Sequence, residues 1–466
     1  MSLPSLLIAL CVAQTPAATE APLPVLTLSD AFQQAQAKNL DLKVAHARLD
    51  QAHLLHRKVW AHYLPSLELE AAYTHNSEEN STQVPTGYSL RTVGTSSLNG
   101  PAFDPSKPVS TANPPGIASN DIIVPSGYDT AYFMKKDQLG AELKLTVPVI
   151  VPELWPAIHE AYLGEEIATN TVENARREVL FGVAQIYYGA ASLKEAIAVQ
   201  QRLLDNNLAH ERDAETRVKA GALPKIGLLR AQIDRTRSEQ DLLRAQNAYA
   251  SAKSALAALL DRQPDFEVER PADPSLPEGD REEAALKNRP DLRVARGSRE
   301  LAEETYGAVL YQYAPKVGIV GSLAASNVKA FAPEYAMWSV MVGLKWTLWD
   351  GGLREIERHE KEAKLAESEA QLGSLTAKAR DEVRRATLEL DNARANRAKA
   401  QEQLALAREN AAMVAQNYSA GIATHLEASD ATTALANAEV GFVAESLNAQ
   451  LAALRVLRAT GAFDPQ

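Results

Sequence analysis

The sequence predicts a mainly helical fold with a transmembrane β-strand contribution, built as two structural repeats of long coiled-coil helices, each with one strand pair. Three observations carry this reading. The same succession of phrases occurs twice; two proline-poor runs of roughly 65 residues step apolar residues by seven, a helix of about 100 Å each at 1.5 Å per residue; and four segments alternate apolar and polar residues with period two.

The chain opens with an uncharged run, Met1 to Thr19, whose apolar part spans Leu3 to Ala13. That is shorter than the roughly 20 residues a spanning helix needs, and it fits the apolar core of a secretory signal. Residues 1–13 are therefore the expected signal peptide and 14–26 an N-terminal linker. The first basic residue is Lys38, so the usual positive leader is missing. A lipoprotein reading of Cys11 is weaker, because Leu10 stands where a small residue belongs. No later stretch of about 18 residues is uncharged and apolar, which argues against helical membrane spans.

The first repeat occupies 27–261 and the second 280–466, joined by a proline-rich connector at 262–279. Each opens with a helix-capping pattern, Thr27-Leu28-Ser29-Asp30 and Asp280-Arg281-Glu282-Glu283. Each continues into a similar phrase, Lys38-Asn39-Leu40-Asp41-Leu42 and Lys287-Asn288-Arg289-Pro290-Asp291-Leu292, and closes on an aromatic residue and proline, Tyr63-Leu64-Pro65 and Tyr313-Ala314-Pro315.

After each proline the period becomes two. Strands are expected near 66–74 and 138–147, then near 316–325 and 338–348. Their apolar positions include Leu67, Leu69 and Tyr73, Leu139, Leu143 and Leu145, Val317, Ile319 and Leu323, and Val340, Val342 and Leu344. Roughly ten residues with this alternation suit a membrane barrel strand. Tyr73, Trp338, Trp346 and Trp349 sit near strand ends, where interfacial aromatic belts lie. Four strands cannot close a barrel, and an open edge in lipid costs several kcal/mol per unpaired backbone group. Strands facing lipid thus require an oligomer. The connection 75–136 is rich in Pro, Ser, Thr, Asn and Gly and reads as a long surface loop or low-complexity disorder.

The long helices follow. In the first, Val179, Val183, Ile186, Ala190, Leu193, Ile197 and Leu204 mark a seam; in the second, Leu365, Leu372, Ala379, Ala386, Ala393, Ala400, Ala407 and Val414 do, with Val383, Leu390, Leu404 and Ala411 beside them. Small seam residues allow close approach of neighbours. Each helix stops at a glycine suited to a left-handed turn, Gly221 or Gly421, and a return helix follows.

Composition narrows the chemistry. The formal net charge of -11 argues against a nucleic-acid partner. With Cys11 the one cysteine, neither a disulfide framework nor a cysteine metal cluster can form. His46, His53, His56 and His62 share a helix, yet no ordered acid or cysteine completes a metal site. No phosphate loop, nucleophile elbow or HExxH occurs, so no enzyme, cofactor or metal is expected. A coiled-coil scaffold of the cell envelope is the alternative. It has no need of the amphipathic strand pairs.

The order helix, strand, loop, strand, very long helix, glycine turn and return helix, given twice, resembles the TolC-like outer-membrane efflux protein family, or outer membrane factors, over nearly the whole chain. The phrases that carry the resemblance are Leu26-Thr27-Leu28-Ser29-Asp30-Ala31, Asn288-Arg289-Pro290-Asp291-Leu292, Trp349-Asp350-Gly351-Gly352, and Tyr418-Ser419-Ala420-Gly421 continuing to Asp430-Ala431-Thr432-Thr433. The resemblance implies a homotrimer with a 12-stranded barrel in outer-membrane lipid above a periplasmic tunnel of 12 helices. It implies a passive duct for efflux or type I secretion, served by a periplasmic adapter and an inner-membrane pump that supply energy and selectivity. In such proteins the tip turns bind the adapter and close the tunnel; Gly221, Ala222, Leu223, Gly421, Ile422, Ala423 and Thr424 match those positions, and Glu427 and Asp430 match a lumenal carboxylate ring. Three copies of such a pair repel anions and one another, an arrangement expected to raise their pKa. One departure stands out. Relatives often lock the tip with an Asp–Arg pair, where this chain has Gly227 and Ala423, so Lys219, Lys225 and Arg230 are expected to pair with Glu427 and Asp430 instead.

Overall fold

The computed structural model describes residues 23–92, 121–221, 224–329 and 334–465. The expected signal peptide, much of the linker, and tip residues Ala222 and Leu223 lie outside them. The chain divides into two units: one is drawn from the described residues among 1–55, 160–306 and 359–466, the other from those among 56–159 and 307–358.

The first unit is helical. Its elements begin with α1 (Leu28–Lys38) and α2 (Leu40–His53) and include most of α4 (Leu154–Lys219), then α5 (Lys225–Leu259), α6 (Arg281–Asn288), α7 (Pro290–Ala308), most of α8 (Leu353–Ser419) and α9 (His425–Ala459). The expected caps form. Thr27 Oγ1 accepts from the Asp30 N–H at 3.1 Å, and Asp280 accepts from the N–H groups of Glu282 and Glu283. The paired phrases do equivalent work: Asn39 caps α2 and donates to the Leu259 carbonyl at the end of α5, while Arg289 donates to the Ala459 carbonyl at the end of α9. Arg289 also makes a bidentate pair with Asp291 and a 2.6 Å bond to Glu382. Each repeat thus ties its opening helices to the end of its own return helix.

Two cores fill this unit. The larger gathers Phe32, Leu180, Val183, Tyr187, Ala190, Leu256 and Phe266. Its edge carries a two-residue parallel pairing of β1 (Val25–Leu26) with β6 (Glu267–Val268), so the end of the expected linker and part of the expected connector are built into structure. The second core sets Val383, Ala386, Leu390 and Ala393 of α8 against Ala449, Ala452, Ala453 and Val456 of α9, the small-residue seam read from the heptads. By length and composition α9 is apolar enough to cross a membrane, but it packs Ala449, Ala452, Ala453 and Val456 into this core and Leu454 into the larger one.

The second unit holds α3 (Leu55–Ala61) and six strands: β2 (Ser66–His75), β3 (Asn80–Thr92), β4 (Asp121–Met134), β5 (Asp137–Ile150), β7 (Lys316–Ser326) and β8 (Ala336–Lys345). Four of them form one antiparallel sheet in the order β2-β5-β7-β8. Residues directly opposite in such a sheet share a face. The register therefore aligns Leu69, Leu143, Leu323 and Trp338 in one row and Leu67, Leu145, Gly321 and Val340 in the next. The other face carries the row Glu68, Lys144, Ser322 and Ser339. β8 ends at Lys345, short of the expected 348, so Trp346 and Trp349 follow the strand; the Trp346 indole donates to the Tyr313 carbonyl at 3.0 Å.

The connection expected to be an irregular loop contains a long β-ribbon. β3 and β4 pair from Asn80↔Met134 to Thr92↔Asp121. Two near-identical phrases meet there, Val84-Pro85-Thr86-Gly87-Tyr88 and Val124-Pro125-Ser126-Gly127-Tyr128, with Pro85 opposite Tyr128 and Tyr88 opposite Pro125.

Candidate functional site: the helical turns and their carboxylates

Both long helices stop as their glycines require. Gly221 and Gly421 have φ of 75° and 77°, in the left-handed region where a side chain is strained. In the second turn the Gly421 N–H donates to the Tyr418 carbonyl and the Ile422 N–H to the Asn417 carbonyl, the two bonds of a Schellman motif. The Gly221 N–H makes the matching bond to Val218. Ile422 projects from the turn with 76% of its surface exposed.

Thr424 starts α9 with a full capping box. Glu427 Oε2 accepts from the Thr424 N–H at 2.7 Å and from its hydroxyl at 2.9 Å, while the Glu427 N–H donates back to Thr424 Oγ1. These bonds from Thr424, its backbone N–H foremost, hold the Glu427 carboxyl below the usual range. Asp430 is exposed one helical turn along α9.

The expected cross-hairpin ion pairs are not those the chain makes. Lys219 pairs with Glu215 of its own helix at 2.7 Å, and Lys225 and Arg230 lie exposed on α5. The hairpins are joined by residues that pattern reading missed. Tyr418 donates its hydroxyl to Asp213 Oδ2 at 2.5 Å, Arg217 pairs with Asp213 at 2.9 Å and lies 4.9 Å over the Tyr418 ring, and the Ser429 hydroxyl donates to Asp234 at 2.8 Å. Burial, followed by the bond to Asp213, pushes the Tyr418 phenol up to about 12. Tyr418 lies in a phrase already singled out; its partner, 205 residues earlier, leaves no local trace.

The Trp349-Asp350-Gly351-Gly352 phrase also acquires a reason. Gly351 and Gly352 both have positive φ, and Asp350 caps the turn by accepting from the Gly352 and Arg354 N–H groups. The nearly buried Arg354 returns a 2.7 Å bond to Asp350 and stacks 4.3 Å over Tyr313.

Residues 283–462, within the second repeat, match the sequence model of the family described as outer membrane efflux protein. No curated protein sequence matches. Among solved structures, the outer membrane protein VceC from Vibrio cholerae is 20% identical with a TM-score of 0.68, covering 93% of this chain and 96% of that one. The Campylobacter jejuni outer membrane channel CmeC is 14% identical with a TM-score of 0.69, at 99% and 93% coverage. CusC, a protein whose structures concern folding and transmembrane channel formation, is 15% identical with a TM-score of 0.72, at 96% and 95% coverage. Likeness at these identities establishes the fold.

Proposed function

We propose that this chain, which has the fold of TolC-like outer-membrane channels and the efflux family's sequence pattern across its second repeat, is the outer-membrane exit duct of a tripartite efflux or type I secretion system. The observation that carries the reading is the four-stranded sheet, apolar along aligned rows on one face and unpaired at its two edge strands, β2 and β8. An open edge is intolerable in hydrocarbon, and closure removes it. Three copies joined β8 to β2 give 12 strands, and the four long helices α4, α5, α8 and α9 of each give 12 helices. In that assembly the strands cross the outer membrane and the helices form a periplasmic tunnel.

The tip turns around Gly221 and Gly421, with Ile422, Ala423 and Thr424, are the surface offered to a periplasmic adapter. An exposed Ile422 beside a rigid glycine turn suits a hydrophobic contact with a partner hairpin. Glu427 and Asp430, exposed on successive turns of α9, form a cation-attracting ring when three copies meet. Tyr73, Trp338, Trp346 and Trp349 anchor the barrel at the lipid interface. The pump drives transport, and the duct conducts.

Single-channel conductance in a planar bilayer tests this, comparing wild type with Glu427→Gln/Asp430→Asn. Gln keeps an acceptor for the Thr424 cap while removing the charge. The expected result is a cation-selective current whose selectivity falls in the variant. Folded protein that gives no current would instead favour the envelope scaffold.

A further inference from the structure

Near the hairpin turns lies a cluster of rings that conduction does not require. His210 of α4 stands edge-on to His425, the first residue of α9, with centroids 5.6 Å apart at 74°, and edge-on to Tyr418 of α8 at 6.0 Å. Tyr418 and His425 are 6.3 Å apart. Both ring nitrogens of His425 are buried and have no hydrogen-bond partner.

This packing suits two neutral rings. A buried imidazolium without an acceptor is costly, two imidazolium rings at this distance repel, and a cation on the first residue of a helix opposes the helix dipole. Burial first, and His425 second, hold the His210 pKa below its usual value, while Asp213 and Asp234 pull the other way. Those two carboxylates are already engaged: Asp213 takes Tyr418 and Arg217, and Asp234 takes Ser429. Glu427, two residues beyond His425, is turned to Thr424. The neighbouring Tyr418–Asp213 bond does not titrate near neutrality, since the phenol is held up at about 12 and Asp213 is held below the usual carboxylate range.

We propose that the His210–His425 pair is an acid-released latch: neutral, it packs α4 of the first hairpin against the α8–α9 turn of the second; protonated, it parts them and opens the tip. The consequence for transport rests on the duct reading above. The direction follows from linkage. At pH 7.5, above the ordinary histidine value, the packed state keeps its full stability. As pH falls through about 6.5, the ordinary histidine value, the separated state takes up protons first. Each proton held only in the separated state shifts the balance toward it by up to about tenfold per pH unit.

Conductance at pH 7.5 and 5.5, for wild type and for His210→Gln/His425→Gln, reads the latch. The expected outcome is a several-fold rise in open probability at pH 5.5 for wild type and none for the double variant; His425→Gln alone, which leaves one titrating ring, gives a shallower rise. Current that responds to pH equally in wild type and double variant overturns the latch and leaves the duct standing. A second readout does not depend on a pore: the distance between spin labels at Arg212→Cys and Ala420→Cys, in a Cys11→Ser background in detergent. It lengthens at pH 5.5 in wild type and stays the same in the double variant; an unchanged distance in wild type sinks the latch even where no current is found.

Discussion

The helical core and the four-stranded sheet use the same kinds of apolar residue and treat them in opposite ways. Phe266, Leu180, Leu256 and Leu292 are fully buried inside the helical unit, whereas Leu69, Trp338 and Val342 are each more than 70% exposed on the sheet. The helical unit buries two cores within one chain, while Leu388, Leu406 and Ile422 stay exposed on it. The sheet leaves its apolar residues bare along aligned rows, and exposed apolar area of this extent marks contact with lipid or another copy. Stability and location are therefore written into different parts of the same molecule.

Removing a buried ring tests the first half of that contrast and carries the largest expected effect. Phe266 sits at 0% exposure, with Arg262 stacked 4.9 Å over it. Phe266→Ala is expected to cost about 3–5 kcal/mol in chemical unfolding of the detergent-solubilised protein, because the cavity collapses only in part. A loss below about 1 kcal/mol would mean that the core at the connector is looser than its packing indicates.

The second test separates the two faces of the sheet by one residue. Val340 lies in the apolar row with Gly321, while Met341 stands opposite Val320 on the other face. Val340→Lys is expected to cost about 2–4 kcal/mol in membrane insertion if it lies near the bilayer midplane, and Met341→Lys far less. Equal costs at the two positions would break the assignment of a lipid face.

These contrasts were unevenly legible in the sequence. Period-two alternation is a local property, so the four strands came within a few residues of their ends. Which strand lies beside which is not local, and the row Leu69, Leu143, Leu323 and Trp338 spans 270 residues of chain, from 69 to 338. The β3–β4 ribbon hid behind its composition: Pro, Gly, Ser and Thr read as loop, although the repeated Val-Pro-x-Gly-Tyr phrase was a visible trace of pairing. At the tip, glycine and capping chemistry depend on a handful of neighbouring residues and were readable. The Tyr418–Asp213 and His210–His425 contacts depend on two repeats folding side by side, and nothing near either residue announces its partner.

A smaller contrast separates the two return helices. α9 begins with the Thr424 capping box, whereas α5 begins at Pro224, which provides no side-chain cap. The second turn should therefore open less readily than the first. Thr424→Ala removes both hydroxyl bonds and is expected to cost about 1 kcal/mol locally, or roughly fivefold faster hydrogen exchange of the first amides of α9. The same substitution should leave the first turn of α5 unchanged, since that helix already starts without such a cap. If the α9 amides already exchange as fast as those of α5 in wild type, the capping box does not set the firmness of the tip, and its rigidity must come from the Tyr418, His210 and Ser429 contacts between the hairpins.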